Sequence, residues 1–207
     1  MITSLLQRWR ALAGEGNDDL GEALISAWRA PQRKYHDQGH LTWLLDEADG
    51  RAPASKEPRF VGFAIWFHDA IYEPGRSDNE ARSAGWARAA LADDPILANR
   101  VAQVIEMTKN HWEGQALGDA ALFLDMDIAI LGAARNIYRD YARGVRQEFA
   151  QFPDAVYGTG RCTFLDSACA RARLFRTDYY ESLLASQARA NMSWEREELR
   201  NGRMVLG

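Results

Sequence analysis

The chain has 207 residues, of which 47% are hydrophobic and 26% are charged, and its net charge is −4. A chain of this length and composition buries a substantial hydrophobic core without disulfide bonds or structural metals. Its net negative charge argues against non-specific binding of nucleic acid. No apolar run is long enough to span a bilayer, and residues 1–10 lack the charged start and long apolar region of a signal peptide. We therefore expect a cytoplasmic protein with no nucleic-acid partner and no membrane.

Apolar residues recur at helical spacing along most of the chain, and no segment alternates like a strand of a hairpin. The predicted helices cover, in chain order, residues 4–13, 18–28, 41–48, 59–72, 78–91, 95–110, 119–132, 133–149, 161–175 and 177–199. Asn17 is a predicted N-cap, and residues 77–80 resemble a capping box that begins at Ser77. Pro153 and residues 158–160 are predicted helix breaks. The sequence therefore predicts an all-α fold, a single helical bundle.

Two cysteines lie seven residues apart, at Cys162 and Cys169. On one helix they are separated by about two turns, roughly 10 Å along the axis. That separation is too large for a disulfide, so we expect two reduced thiols, as in the cytoplasm.

An apolar run over residues 60–67 ends abruptly in the adjacent pair His68 and Asp69. An unpaired ionisable group is costly to bury, and binding a divalent metal removes that cost because the cation neutralises the carboxylate. A hydrogen-bonded pair near a helix end is the structural alternative. The pair alone is a weak signal, and the rest of the chain decides between the two interpretations.

Further metal-ligand types occur elsewhere in the sequence. His36 and His40 are four residues apart and share a face if they are helical, and Asp125 and Asp127 interrupt a strongly apolar segment. Two imidazoles and two carboxylates form a plausible set of ligands for Mn, Fe, Co, Ni, Mg or Zn. A cysteine-rich structural zinc site is excluded because the chain has only two cysteines.

The order of these residues resembles a known family. His40, the pair His68 and Asp69, and then Asp127 resemble the H…HD…D signature of the HD superfamily of metal-dependent phosphohydrolases. A subgroup known as predicted HD phosphohydrolases looks similar in its surrounding motifs, which here read YHDQGHL at 35–41, WFHDAIY at 66–72, DNE at 78–80, TKNH at 108–111, LDMDIAILG at 124–132, GR at 160–161 and ARANM at 188–192. The resemblance covers most of residues 30–195.

The resemblance implies a helical HD-type domain over residues 31–200, with N-terminal helices in residues 1–30 packed on it and a tail at 201–207. It implies one or two divalent metal ions per chain. The residues that match the family's ligands are His40, His68, Asp69 and Asp127; His36 is the alternative to His40, and Asp125 is the alternative to Asp127.

Candidates for catalysis and substrate binding follow from the groups that phosphoester hydrolysis requires. Glu73 stands where an acid takes part in catalysis in the related stringent-response alarmone hydrolases, although Tyr72 replaces the second acid before it. Glu73 and His36 are the candidates for proton transfer. The candidates for phosphate contact are Lys109, His111, Arg146 and Arg161. His111 could instead bind a second metal or end a helix, and the two arginines could form surface salt bridges.

The sequence therefore predicts a metal-dependent phosphohydrolase that acts on a small phosphorylated molecule, with a nucleotide as the leading candidate. The first alternative is a catalytically silent sensor that binds metal and a nucleotide or phosphate. The second is a structural helical protein in which the metal only staples helices. The oligomeric state is left open, because in a sequence the apolar residues of a subunit interface have the same pattern as those of the hydrophobic core.

Overall fold

The computed structural model describes residues 4–203, apart from the Arg51 side chain; their regular secondary structure is helical, and no strand occurs among them. The predicted all-α class is thus confirmed. Residues 1–3 and the predicted tail from 204 onwards lie outside the described residues. The helices are α1 Leu5–Ala13, α2 Asp18–Trp28, α3 Gln38–Asp46, α4 Pro58–Phe67, α5 Asn79–Ala90, α6 Pro95–Met107, α7 Asp119–Ile128, α8 Arg135–Glu148, α9 Asp154–Cys169 and α10 Asp178–Arg200.

Short segments of tighter or wider helix continue three of these elements: a π-helical turn at Glu47–Arg51 and 3-10 turns at Thr108–Asn110 and Ala129–Gly132. The described residues form two compact units, one that ends at Leu124 and one that begins at Asp125. The predicted division at residues 30 and 200 stays a prediction. Within residues 4–203, no helix is both long and apolar enough to cross a membrane.

Helix α4 is the centre of the first unit. All of its residues from Phe60 to Phe67 except Gly62 are buried. Trp9 of α1 packs edge-on against the rings of Phe63 and Trp66 at centroid distances of 6.0 and 5.3 Å. Such pairs add to the free energy gained by burying the rings. The N-terminal helix therefore packs on the same core that leads into the His68–Asp69 pair.

Two helix ends near that pair differ from the prediction. Helix α4 ends at Phe67 instead of residue 72, so that Asp69 lies in the turn that follows it. Helix α3 begins at Gln38, because the Asp37 side chain caps it by accepting from the amides of Gly39 and His40 at 2.7 and 3.4 Å. His36 precedes this cap, so His36 and His40 do not share a helical face.

The predicted capping box is wrong. Helix α5 begins at Asn79 with Asp78 at the N-cap position, and no side-chain cap bond is made there. Asn17 does occupy the N-cap position of α2, but its amide donates back to the Ala13 carbonyl instead of capping.

The second unit is built around α10, whose Asn191 donates to the carbonyls of Leu131 and Ala133 at 2.9 and 2.8 Å. The predicted break at residues 158–160 is wrong, since α9 runs without interruption from Asp154 to Cys169. A helical glycine costs only about 1 kcal/mol, which the packing of this helix offsets. Both cysteines lie on α9 as free thiols, as predicted.

Gly132 is expected to tolerate no side chain. A Cβ atom there would lie 2.5 Å from the Leu184 Cβ and 3.0 Å from the Leu184 carbonyl oxygen. We expect Gly132→Ala to lower the free energy of unfolding by about 1–3 kcal/mol through overpacking. Gly158→Ala is the control, because a Cβ there meets nothing within 4 Å and should stabilise α9 by about 0.5–1 kcal/mol. Urea denaturation of both variants measures the difference, and equal effects would contradict it.

Candidate metal centre

Three predicted ligands meet in the first unit. One nitrogen each from His40 and His68 and one carboxylate oxygen of Asp69 lie within 4.8 Å of one another. The two Nε2 atoms are 3.4 Å apart, and the His68 Nε2 lies 3.5 Å from the Asp69 Oδ2. Both histidines are buried, whereas the Asp69 side chain retains 16% of its exposure. The cluster therefore has one edge that solvent reaches.

The orientation of the His68 ring is fixed by its other nitrogen. The Nδ1 atom lies 2.9 Å from the Ile65 carbonyl oxygen, which can only accept, so Nδ1 carries the proton. In the neutral ring the Nε2 lone pair then points towards His40. A hydrogen bond of this kind on the far nitrogen is how proteins orient imidazole ligands of metals.

The separations suit a shared cation better than a direct contact. At 3.4 Å, the two Nε2 atoms are farther apart than the 2.7–3.2 Å that is usual for a hydrogen bond with an N–H donor. Donor atoms about 2.1 Å from one metal ion lie about 3.0–3.4 Å apart in octahedral or tetrahedral coordination. The cluster could therefore hold a divalent cation with two nitrogen ligands and one oxygen ligand.

Aromatic side chains surround the two imidazoles. The Trp28 ring packs 5.3 Å from the His68 ring and 6.2 Å from the His40 ring, and the Phe123 ring lies 5.7 Å from the His68 ring. The Trp28 Nε1 is itself held by the carbonyl of Trp66 at 3.1 Å. Because buried rings in such packing have few alternative rotamers, the cluster is held in place before any ligand binds.

His36 lies beside the cluster but is not one of the three ligands. Its ring centroid is 5.9 Å from that of His40, and it stacks on the Tyr72 ring at 4.4 Å and 31°. Both stacked side chains are partly exposed. His36 therefore stands at the solvent-accessible side of the site, where its proposed role in proton transfer stays a prediction.

Glu73 is exposed and ion-paired. Its carboxylate accepts from Arg82 and lies 3.9 Å from the Arg76 guanidinium. The Asn79 side chain holds the Glu73 backbone at both ends, accepting from its amide at 3.1 Å and donating to its carbonyl at 2.9 Å. Asn79, which the sequence placed in a capping box and in the DNE motif, thus fixes the turn that carries the candidate acid.

Lys109 and His111 lie near the end of α6. The Lys109 ammonium donates to the Ser77 carbonyl at 2.7 Å, and the His111 ring lies 6.4 Å from the Trp112 ring. Lys109 is exposed and His111 is partly exposed. Their proposed phosphate contacts stay predictions.

The remaining candidates belong to the second unit. Arg146 is buried and donates to the carbonyls of Phe149 and Phe152 and to Asp154. Arg161 is also almost fully buried and pairs with Glu195 at 2.8 Å. The Arg161–Glu195 pair is not a surface salt bridge, so that alternative is wrong for Arg161, whereas Asp154 is 61% exposed and the alternative stays open for Arg146. The proposed phosphate contacts of both arginines stay predictions.

Asp125 and Asp127 have different surroundings. Asp127 is partly exposed in α7. Asp125 is buried and accepts from the amides of Arg176 and Thr177 at 2.7 Å and from the Thr177 hydroxyl at 2.6 Å. Burial raises the pKa of the Asp125 carboxyl, and these donors oppose the shift. Asp125 thus anchors the start of α10, and the choice of Asp127 as a ligand stays a prediction.

We expect Asp125→Ala to lower the free energy of unfolding by about 2 kcal/mol, because three donors lose their acceptor in a buried place. Asp94→Ala is the matched control. The Asp94 side chain caps α6 through one bond to the Leu97 amide, so its loss should cost about 1 kcal/mol or less. Thermal unfolding of both variants compares them, and a larger effect at Asp94 would contradict the anchoring role.

One residue near the cluster was not found from the sequence. Arg33 is buried at 5% exposure and donates to backbone carbonyls of both segments that carry the ligands. A single arginine in a polar stretch before a helix has no pattern that separates it from a surface residue. Its partners are 3 to 37 residues away, and only the fold shows them.

Comparison with known proteins adds no independent assignment. No protein-family model, no curated protein and no solved structure matches this chain. The geometry of the cluster and the resemblance of its motifs are therefore the basis for a function.

Proposed function

We propose that this protein is a metal-dependent phosphohydrolase of the HD type that acts on a small phosphorylated molecule, with a nucleotide as the leading candidate. One observation carries the proposal: His40, His68 and Asp69, which are distant in sequence but match the signature in order, present their ligand atoms within 4.8 Å of one another. The two free thiols also support a cytoplasmic location.

His40, His68 and Asp69 would hold the cation, and Asp127 is the proposed fourth ligand from the motif. A divalent cation at such a site polarises a phosphoryl oxygen and lowers the pKa of bound water towards neutrality. Mn, Fe, Co, Ni, Mg and Zn are all candidates, with one or two ions per chain. The partial exposure of Asp69 gives a small substrate a side from which to approach.

His36 is the better-placed candidate for proton transfer. Its ring is partly exposed beside the cluster, whereas the Glu73 carboxylate is occupied by Arg82. We expect His36→Asn to lower the rate of hydrolysis by about 100-fold to 10,000-fold, the usual contribution of general acid–base catalysis, with unchanged metal content. Glu73→Gln should also keep the metal and lose less rate. The rate of phosphate release from both variants measures this order, and the reverse order would identify Glu73 as the main group.

The direct test of the proposal is release of phosphate from a panel of nucleotides and sugar phosphates, with each candidate cation added in turn. Wild-type protein should cleave at least one of them in a metal-dependent manner. Asp69→Asn, which removes a ligand charge from a partly exposed position, should abolish the cleavage. Turnover that persists in Asp69→Asn would contradict the assignment of this site.

The Glu73 ion pair favours a second candidate function. A site whose candidate acid is held by Arg82 could bind metal and a nucleotide or phosphate without turnover, as a sensor does. Metal-loaded protein would then bind nucleotides in a calorimetric titration while releasing no phosphate from any compound of the panel. Micromolar binding without turnover would replace the hydrolase with this second function.

A further inference from the structure

We infer that Arg33 is the positioning residue of the metal centre: its guanidinium sets the spacing of the two segments that supply the ligands. Arg33 lies between α2 and α3, outside any helix. Its side chain is nevertheless buried. Burying a cation costs free energy unless its N–H donors find acceptors, so the hydrogen-bond partners of Arg33 determine its role.

The guanidinium bridges the two ligand segments. Its Nη1 donates to the carbonyl of His36 at 2.7 Å, and its Nη2 donates to the carbonyls of Asp69 and Ala70 at 2.7 and 3.2 Å. The first carbonyl belongs to the loop that leads into α3 and His40. The other two belong to the turn that carries Asp69. The planar guanidinium therefore links the backbone of the loop before α3 to the backbone of the turn after α4.

The position of this guanidinium follows from the helix end. Carbonyls at the C-terminal end of an α-helix lack intrahelical partners, and a cationic side chain there also complements the helix dipole. Asp69 and Ala70 lie in the turn two and three residues past Phe67, the last residue of α4. Without Arg33, the turn at Asp69 and Ala70 would lose its hydrogen bonds to the opposite segment.

Aromatic rings connect the guanidinium to the two imidazoles through packing contacts. The Arg33 Cζ atom lies 5.1 Å from the Trp28 ring and 5.4 Å from the Tyr72 ring. Trp28 in turn packs on both His40 and His68. Arg33 thus contacts the backbone next to Asp69 and the aromatic side chain that backs both histidines.

Geometry and charge can be separated by substitution. Lysine keeps the positive charge of Arg33 but is a point charge, whereas the planar guanidinium can donate to two segments at once. A change in metal affinity in Arg33→Lys therefore measures the contribution of the two-segment hydrogen bonding. The electrostatic repulsion between residue 33 and the metal ion is the same in the wild type and in this variant. Arg33→Met removes the charge and keeps an apolar stem.

This inference rests on the metal centre of the proposed function but not on the hydrolytic step. The test is titration of the metal-free full chain with Co²⁺, followed by calorimetry and by the visible spectrum of the bound ion. We expect Arg33→Lys to bind Co²⁺ at least about 10-fold more weakly, the range found for residues that orient metal ligands, with a changed spectrum. Arg88→Lys, at an exposed pair with Glu106, should match the wild type.

Unchanged affinity and spectrum in both Arg33→Lys and Arg33→Met would overturn the inference, because Arg33 would then serve stability alone. Loss of folding in both variants, even with Co²⁺ in excess, would overturn it as well. A wild type that binds no Co²⁺ would remove the metal centre and this inference together. A wild type that binds Co²⁺ but cleaves no phosphoester would refute only the proposed hydrolase.

Discussion

Replacing His68 by alanine is expected to abolish binding of the divalent cation and, with it, hydrolysis of any phosphoester. The His68 Nε2 is 3.4 Å from the His40 Nε2 and 3.5 Å from Asp69, so it is the atom that faces both other ligands. Removing a group that merely orients a ligand costs about 10-fold to 100-fold in metal affinity. Removing the ligand itself should cost more than about 100-fold.

Calorimetric titration with the cation that supports activity measures this loss. Asp94→Ala is the control, because it removes a carboxylate that caps α6 outside the cluster and should keep the affinity. Because His68 is buried, Asp69→Asn is the second variant; it disturbs the core less and should also lose the cation. Retention of wild-type affinity in both variants would show that the cluster is not the binding site.

Replacing Glu195 by alanine is expected to lower the free energy of unfolding of the second unit by about 3–5 kcal/mol, as when one partner of a buried ion pair is removed. The Glu195 carboxylate is 1% exposed and accepts from Arg161 at 2.8 and 3.0 Å and from the Tyr138 hydroxyl at 2.5 Å. The variant leaves the buried guanidinium without its counter-charge. Arg161 would retain its bond to the Tyr141 hydroxyl at 3.1 Å, which supplies no charge.

The protonation states in this network support the size of the effect. Burial and the nearby Glu195 charge hold the pKa of Tyr138 well above its usual range, so its hydroxyl stays a donor. Urea denaturation followed by circular dichroism measures the loss. Asp166→Ala is the control in the same unit, since Asp166 pairs with Arg196 and Arg200 on the surface, where ion pairs contribute little. Equal effects of the two substitutions would contradict the buried network.

Much of the helical layout follows from local sequence. Apolar spacing predicted α2 with its observed bounds, Asp18–Trp28, and Pro95 marked the start of α6. These features depend on periodicity and on the fixed φ angle of proline, both of which operate within one turn. The glycines at 158 and 160 led to the wrong prediction of a helix break. The packing of α9 offsets the free-energy cost of two helical glycines.

The cluster itself was partly predictable. An adjacent His–Asp pair after an apolar run is unusual enough to mark His68 and Asp69, and the resemblance added His40. Spacing alone could not separate His36 from His40, because it left open whether the two lie on one helix; the Asp37 cap places only His40 in α3. Nor could spacing reveal Arg33 or the role of Asn79, because the partners of both side chains are backbone atoms. Such bonds depend on which segments the fold brings together, and the side-chain types carry no sign of them.

X-ray absorption spectroscopy of the metal-loaded wild-type protein tests the central claim most directly, because it reports the atoms bound to the ion. The arrangement of His40, His68 and Asp69 predicts about one tightly held ion per chain with two imidazole ligands and oxygen in the remaining positions. The imidazole signal should disappear in His68→Ala. A shell of oxygen alone, a sulfur ligand from Cys162 or Cys169, or no bound ion at all would contradict the account.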